Sequence, residues 1–187
     1  MAHGERIRAG SKHAYEVIME YAYLTTIGQD SHRFLEEKFD ASTNSIMLGG
    51  VKIPFDRAFL ANSDGDVILH AVTNAISGIT GVNILGGAAD KICLEQGIKD
   101  SRVYLEEALK YMGDAKIVHV SMTIECLRPK LKEHIPSIKE SVASLLNISP
   151  SHVGITATTG EGLTGFGKGE GIQVFVIMTF KVPADED

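Results

Sequence analysis

An aspartate and a histidine stand two residues apart, Asp30 and His32, in the stretch TTIGQDSHRF. On extended backbone such positions share a face, so a carboxylate and an imidazole can grip one object together. A third donor comes from DGDVILHAVTNA, where Asp66, His70 and Asn74 recur at every fourth residue as a polar stripe on an otherwise apolar helix. Two imidazoles and one carboxylate form a common catalytic zinc set, with the fourth position left for substrate or water. The same trio suits Fe(II) as a facial triad. In the plainer alternative, Asp66 serves the helix dipole and His70 is a half-buried, hydrogen-bonded histidine.

The second chemical region is ITATTGEGLTGFGKGEGI, in which glycines alternate with Thr158, Thr159, Glu161, Thr164, Lys168 and Glu170. Glycines let backbone N–H groups approach an anion closely, and threonine hydroxyls add donors. Gly162, Gly167 and Lys168 satisfy GxxxxGK, but Gly169 stands where a P-loop needs Ser or Thr. The following IQVFVIMTFKV is also strand-like rather than helical, so the P-loop is excluded. The remaining choices are a flexible hairpin and, given Glu161 and Glu170 beside so many donors, a phosphate–metal site. LRPKL, at 127 to 131, reads by itself as a strand end stopped by Pro129 with a solvated Lys130.

These residues need elements to hold them. Residues 1–22 start polar and become weakly amphipathic, an extension of unknown role. The stretch YLTTI reads as a strand, LEEKFDASTN as a surface loop, and SIMLGGVKIPF as a hairpin around Gly-Gly. A helix over NSDGDVILHAVTNAISGI is expected to be capped by Ser63 or Asp64 and to stop near Gly78. A second helix, DSRVYLEEALKYMG, starts at Asp100 or Ser101 and stops at Gly113. In KIVHVSMTIEC the alternation puts Val118, Val120, Met122 and Ile124 on one face. A helix at SIKESVASLLN, a strand beginning in SPSHVGITAT and the long strand GIQVFVIMTFKV close the chain. The pattern predicts an α/β (α+β) sandwich: a single domain over 23–187, with one mixed sheet packed against helices.

The chain has 187 residues, 44% hydrophobic and 22% charged, enough for one core without staples. A net charge of −6 argues against non-specific attraction to nucleic acid or to an anionic membrane. Cys93 and Cys126 form no CxxC pair and fit a reducing compartment. No apolar run approaches the ~20 residues of a membrane helix, and the N-terminus lacks a signal-peptide h-region. The expected location is the cytoplasm.

Taken together, DSH after a first strand, SDGDVILHA, RPKL and TATTGEGLTGFGKGEGI, in that order, resemble the 2-C-methyl-D-erythritol 2,4-cyclodiphosphate synthase family of the non-mevalonate isoprenoid pathway. The resemblance runs from about residue 25 to the C-terminus. It implies a homotrimer with active sites between subunits. Asp30, His32 and His70 match the zinc ligands, and Glu161 matches the residue holding a second ion, Mg2+ or Mn2+, on the diphosphate. Ser63, Thr158 and Thr159 match phosphate-contacting positions, with Thr159 counted among the catalytic residues. Asn62 and Asp64 join the substrate-binding set. Cys126, Pro129, Lys130, Leu131 and Ala157 fall in a cytidine pocket contributed by the neighbouring subunit. Lys168 takes the place of an arginine near the trimer axis, where members can hold an isoprenoid diphosphate.

The chain departs from the family pattern at several places. Asn62 stands for a histidine, Asn74 for an aspartate, and Thr26 for the first glycine of a GxGxD opening. The acidic GDIG…FPDTD loop is replaced by GVNILGGAADKICLEQ. The implied reaction cyclises 4-diphosphocytidyl-2-C-methyl-D-erythritol 2-phosphate and releases CMP, a step that depends on alignment and charge neutralisation. The alternatives are a non-catalytic trimeric homologue that binds an isoprenoid or cytidine nucleotide ligand, and a metal-dependent phosphohydrolase.

Overall fold

The computed structural model describes residues 20–87 and 97–184. The N-terminal extension up to residue 19 and most of the replaced acidic loop therefore lie outside the described residues. Strand β1 (Tyr21–Arg33) is longer than the YLTTI core and carries Asp30 and His32 within it. The hairpin β2 (Ser45–Leu48) and β3 (Val51–Pro54) turns at Gly49-Gly50, as expected. Helix α1 (Val67–Thr80), helix α2 (Ser101–Leu109), β4 (Lys116–Glu125), helix α3 (Ile135–Leu145), β5 (Val153–Thr158) and β6 (Gly171–Pro183) follow.

The main sheet has the order β1-β6-β4-β5, with β4 and β5 parallel and the other pairs antiparallel. It is the mixed sheet expected, and β2 and β3 form a separate two-stranded sheet beside it. Its inner face presents Ile172, Val174, Val176, Met178 and Phe180 from β6 and Val120, Met122 and Ile124 from β4, all buried. Helix α1 lies over β1 and β6, and α3 lies over β5. A bulge between Ile117 and His119 interrupts the alternation of β4, so Val118 is only half-buried and not fully inward as expected. No helix among the described residues is long and apolar enough to cross a membrane.

Both ends of α1 differ from expectation. Its cap is Asp66, not Ser63 or Asp64, because the Asp66 carboxylate is the one that accepts the Leu69 N–H at 3.0 Å. The same carboxylate accepts from Gly49 and Gly50 N–H at 2.8 and 2.6 Å, tying the β2–β3 turn to the helix start. Burial pushes the Asp66 carboxyl above its ordinary range, against the pull of those three N–H groups. The helix stops at Gly81, left-handed with its N–H on the Ser77 carbonyl, while Gly78 lies inside the helix next to Thr26. Helix α2 begins with Asp100 as cap and ends at Leu109, before Gly113. Helix α3 begins at Ile135, two residues earlier than expected, with Pro136 in its first turn.

Candidate functional site

The pairing of β1 with β6 decides where the first ligands point. Asp30 lies opposite Val174 and His32 opposite Ile172, both inward positions, so both ligands face the helix layer. Gly28, two residues earlier on that face, brings β1 against α1. A methyl group there would lie 2.0 Å from the Ala71 carbonyl oxygen and 2.5 Å from the Ala75 nitrogen. Thr26 donates to the Ala75 carbonyl at 2.6 Å, and Asn74 donates to the Gln29 carbonyl at 3.0 Å. This close approach carries His70, on the same helix, to Asp30 and His32.

Three potential ligand atoms then converge. Asp30 Oδ2 is 3.0 Å from His70 Nδ1 and 3.3 Å from His32 Nε2, and the two imidazole nitrogens are 3.2 Å apart. Among the described residues these three form the one cluster with metal-ligand spacing, their ligand atoms all within 4.8 Å of one another. Burial lowers the His32 pKa below its ordinary value. His70 adds to that, while Asp30 and Asp64 oppose it. Two imidazole nitrogens beside a carboxylate oxygen suit a divalent cation, and the N2O donor set is that of zinc enzymes. Phe59 tilts against His32 at 5.6 Å and stacks on Phe34, which supports the His32 ring from behind. The cavity, about 260 Å3, is lined by Asp30, His32, Asn62, Ser63, His70, Asn74 and Tyr104, among others. Asp64 is not part of this lining; both its carboxylate oxygens accept from Ser101.

The second region forms a separate cleft of about 330 Å3, lined by Cys126, Pro129, Lys130, Leu131, Lys132, Ile135, Ala157, Thr158 and Thr159. All seven residues that the resemblance implies for nucleotide or phosphate in these two stretches line it. The parallel pair β4–β5 explains this, since it brings Glu125 beside Thr158 and the C-terminal ends of both strands to the same edge. The Cys126 N–H donates to the Thr158 carbonyl at 3.1 Å and the Leu127 N–H to the Phe166 carbonyl at 3.0 Å, so the loop after β4 is tied to the glycine-rich segment. Burial pushes the Cys126 thiol up to about 11, with Lys130 pulling the other way, which favours the uncharged thiol.

Glu161 and Lys168 line neither cavity. Glu161 is exposed on the turn after β5 with φ 49° and ψ 27°, a left-handed conformation costing on the order of 1 kcal/mol for a residue with a side chain. The turn is pinned by Glu125, which accepts from the Thr164 hydroxyl, and a methyl group at Gly160 would lie 2.0 Å from the Glu125 carboxylate. A single exposed carboxylate suits a hard ion that takes its other ligands from phosphate and water, as Mg2+ does. Lys168 borders a surface recess with Lys38, Arg57 and Arg128. Sequence reasoning missed Tyr104 and Ser101 beside His70, as well as Glu125. Ser101 was visible only as a helix start.

A family model described as the YgbB family matches residues 23–181. The 2-C-methyl-D-erythritol 2,4-cyclodiphosphate synthase of Chlamydia felis (strain Fe/C-56) is 47% identical over 161 residues, 86% of this chain and 90% of that protein. Its counterpart in Chlamydia trachomatis serovar L2b is 45% identical, over 86% of this chain and 89% of its own length. Among solved structures, the bifunctional IspDF of Campylobacter jejuni superposes with a TM-score of 0.76 at 26% identity, covering 89% of this chain and 44% of that one. The CDP complex of Plasmodium falciparum IspF superposes with a TM-score of 0.69 at 26% identity, covering 87% and 97%.

Proposed function

This chain belongs to the YgbB family, and from that premise we propose that it converts 4-diphosphocytidyl-2-C-methyl-D-erythritol 2-phosphate to 2-C-methyl-D-erythritol 2,4-cyclodiphosphate with release of CMP. The observation that carries the reading is the convergence of Asp30, His32 and His70 in one cavity. These three would hold zinc, and Glu161 would hold Mg2+ or Mn2+. Cations bound there supply Lewis-acid neutralisation of phosphate charge.

The chain's own residues do the positioning. In the reaction the substrate's 2-phosphate attacks the β-phosphorus of its cytidine diphosphate, and CMP leaves. Lys130, exposed at the rim of the cleft, attracts the nucleotide's phosphates, while Cys126, Pro129, Leu131 and Ala157 provide the surface for the cytosine. Thr158 and Thr159 offer hydroxyl and N–H donors to the diphosphate. Asn62 and Ser63 face the other end of the substrate from the wall of the metal cavity. Such a cyclisation depends on holding both reacting groups in line and on neutralising their charge. That the Plasmodium falciparum IspF structure is a CDP complex supports a cytidine nucleotide as ligand.

The two cavities share no lining residue, which supports active sites completed between subunits of a homotrimer. The outer face of the sheet supports the same assembly. Ile27 pairs with Ile177, Phe175 is two residues along, and Tyr23 adds to an exposed apolar surface on a sheet whose other face is the core. Lys168 would then stand near the axis, where an isoprenoid diphosphate could bind. A cytoplasmic location accords with an enzyme of isoprenoid biosynthesis.

Phosphorus NMR tests the reading. Purified protein loaded with zinc is mixed with the substrate and Mg2+, beside a chelator-treated control. Metal-dependent cyclic diphosphate together with CMP is the expected result. Intact substrate on metal-loaded protein would make the chain a binding module, and linear products would make it a phosphohydrolase.

A further inference from the structure

The side of His70 that faces away from the proposed metal site is also occupied. Its Nε2 lies 2.8 Å from the Ser101 hydroxyl, and that hydroxyl donates to Asp64 Oδ1. Ser101 is fully buried at the first turn of α2. Asp64 is held in turn: its carboxylate accepts the Ser101 N–H and the Asp66 N–H, each at 3.2 Å, and its own N–H donates to the Lys99 carbonyl at 2.8 Å. Nothing in the metal cluster requires these groups, and Asp64 does not line the cavity.

Proton counting gives them a task. An ionised carboxylate only accepts, so the single Ser101 hydroxyl proton goes to Asp64. The Ser101 oxygen then meets His70 with lone pairs, and His70 must be the donor through Nε2–H. Its Nδ1, 3.0 Å from Asp30 and 3.2 Å from His32, is left with a lone pair. We propose that Ser101 and Asp64 are positioning residues that set the His70 tautomer and so present Nδ1 to the metal. The inference rests on the reading of Asp30, His32 and His70 as ligands. Without the relay, the favoured arrangement is Nδ1–H donating to the Asp30 carboxylate, which closes the site with a charge-assisted hydrogen bond.

The test has two readouts on the full-length protein. Long-range 15N–1H NMR of metal-free wild type, above the pH at which its imidazoles titrate, should show His70 protonated on Nε2. In Ser101→Ala the proton should move to Nδ1. Zinc affinity, measured against a fluorescent chelator, should fall about 10- to 100-fold in Ser101→Ala and also in Asp64→Asn, which loses one acceptor but keeps its shape. A wild-type His70 with its proton on Nδ1, or zinc affinity unchanged in both variants, would overturn the relay. Wild-type protein that takes up no zinc would instead overturn the metal reading. The tautomer, read without metal, keeps the two failures apart.

Discussion

Around Asp30, His32 and His70 each ligand is backed by a second contact: Gly28 and Thr26 press β1 onto α1, Phe59 leans on His32, and Ser101 meets His70. The cleft beside Pro129 has little of this. Its polar groups, Lys130, Thr158 and Thr159, stand at strand ends and turns, and Lys130 and Thr158 are exposed. The difference follows from what each region must present. Asp30, His32 and His70 can present three lone pairs to one point only if their protons are held elsewhere and their side chains are fixed, so packing must hold them in place. A nucleotide, the ligand proposed for this cleft, would bring its own shape and charge to the surface, and exposed donors could adjust to it at small cost. Strong preorganisation sits where like groups converge, and adaptable groups sit where a large ligand lands.

That contrast can be broken or sharpened in four ways. The largest effect is expected from His70→Ala: CMP release falls to the protein-free background, while CMP affinity by calorimetry stays within about twofold because the cleft is untouched. Loss of both would mean that the two regions are not separable.

Gly28→Ala comes next. The added methyl group has no room against the α1 backbone, so unfolding in urea should show a loss of about 3 kcal/mol, the upper range for overpacking. A loss under about 1 kcal/mol would mean that the strand and helix can separate freely.

Lys130→Ala should raise KM about tenfold and leave kcat within about twofold, the mark of a group that binds ground and transition states alike. A fall in kcat at unchanged KM would place Lys130 at the reacting atoms.

The smallest effect is in pH. The folded His32 pKa lies below its unfolded value of 6.5, so the unfolded chain binds more protons as acid is added. The contribution of His32 to the stability of the metal-free protein is thus complete above pH 6.5 and is lost as pH falls from there through the folded value. His32→Gln should remove part of that slope, less than one proton's worth, in thermal melts at a series of pH values; an unchanged slope would assign the decline to other groups.

Much of this could be read along the chain. DSH on a strand, HAVTN on a helix and ATTGEG at a strand end are local patterns, and backbone periodicity alone tells which side chains share a face. The hairpin, the three helices and the strands β4 to β6 were legible for the same reason. The helix caps were less so, since Ser63, Asp64 and Asp66 are all good capping residues and only the path of Gly49-Gly50 selects Asp66. Ser101 was hidden because a serine at a helix start already has a local explanation.

The sequence by itself determined the ligand types, the donor-rich glycine segment and the alternation of the sheet, because each depends on neighbours within a few residues. Only the tertiary structure decided that β1 meets α1 at Gly28, that Asp64 turns to Ser101, and that the cavity at Asp30, His32 and His70 and the cleft beside Pro129 are distinct surfaces of one chain. Those outcomes depend on contacts between residues tens of positions apart, where close packing and hydrogen-bond satisfaction choose among partners that local chemistry treats as equal.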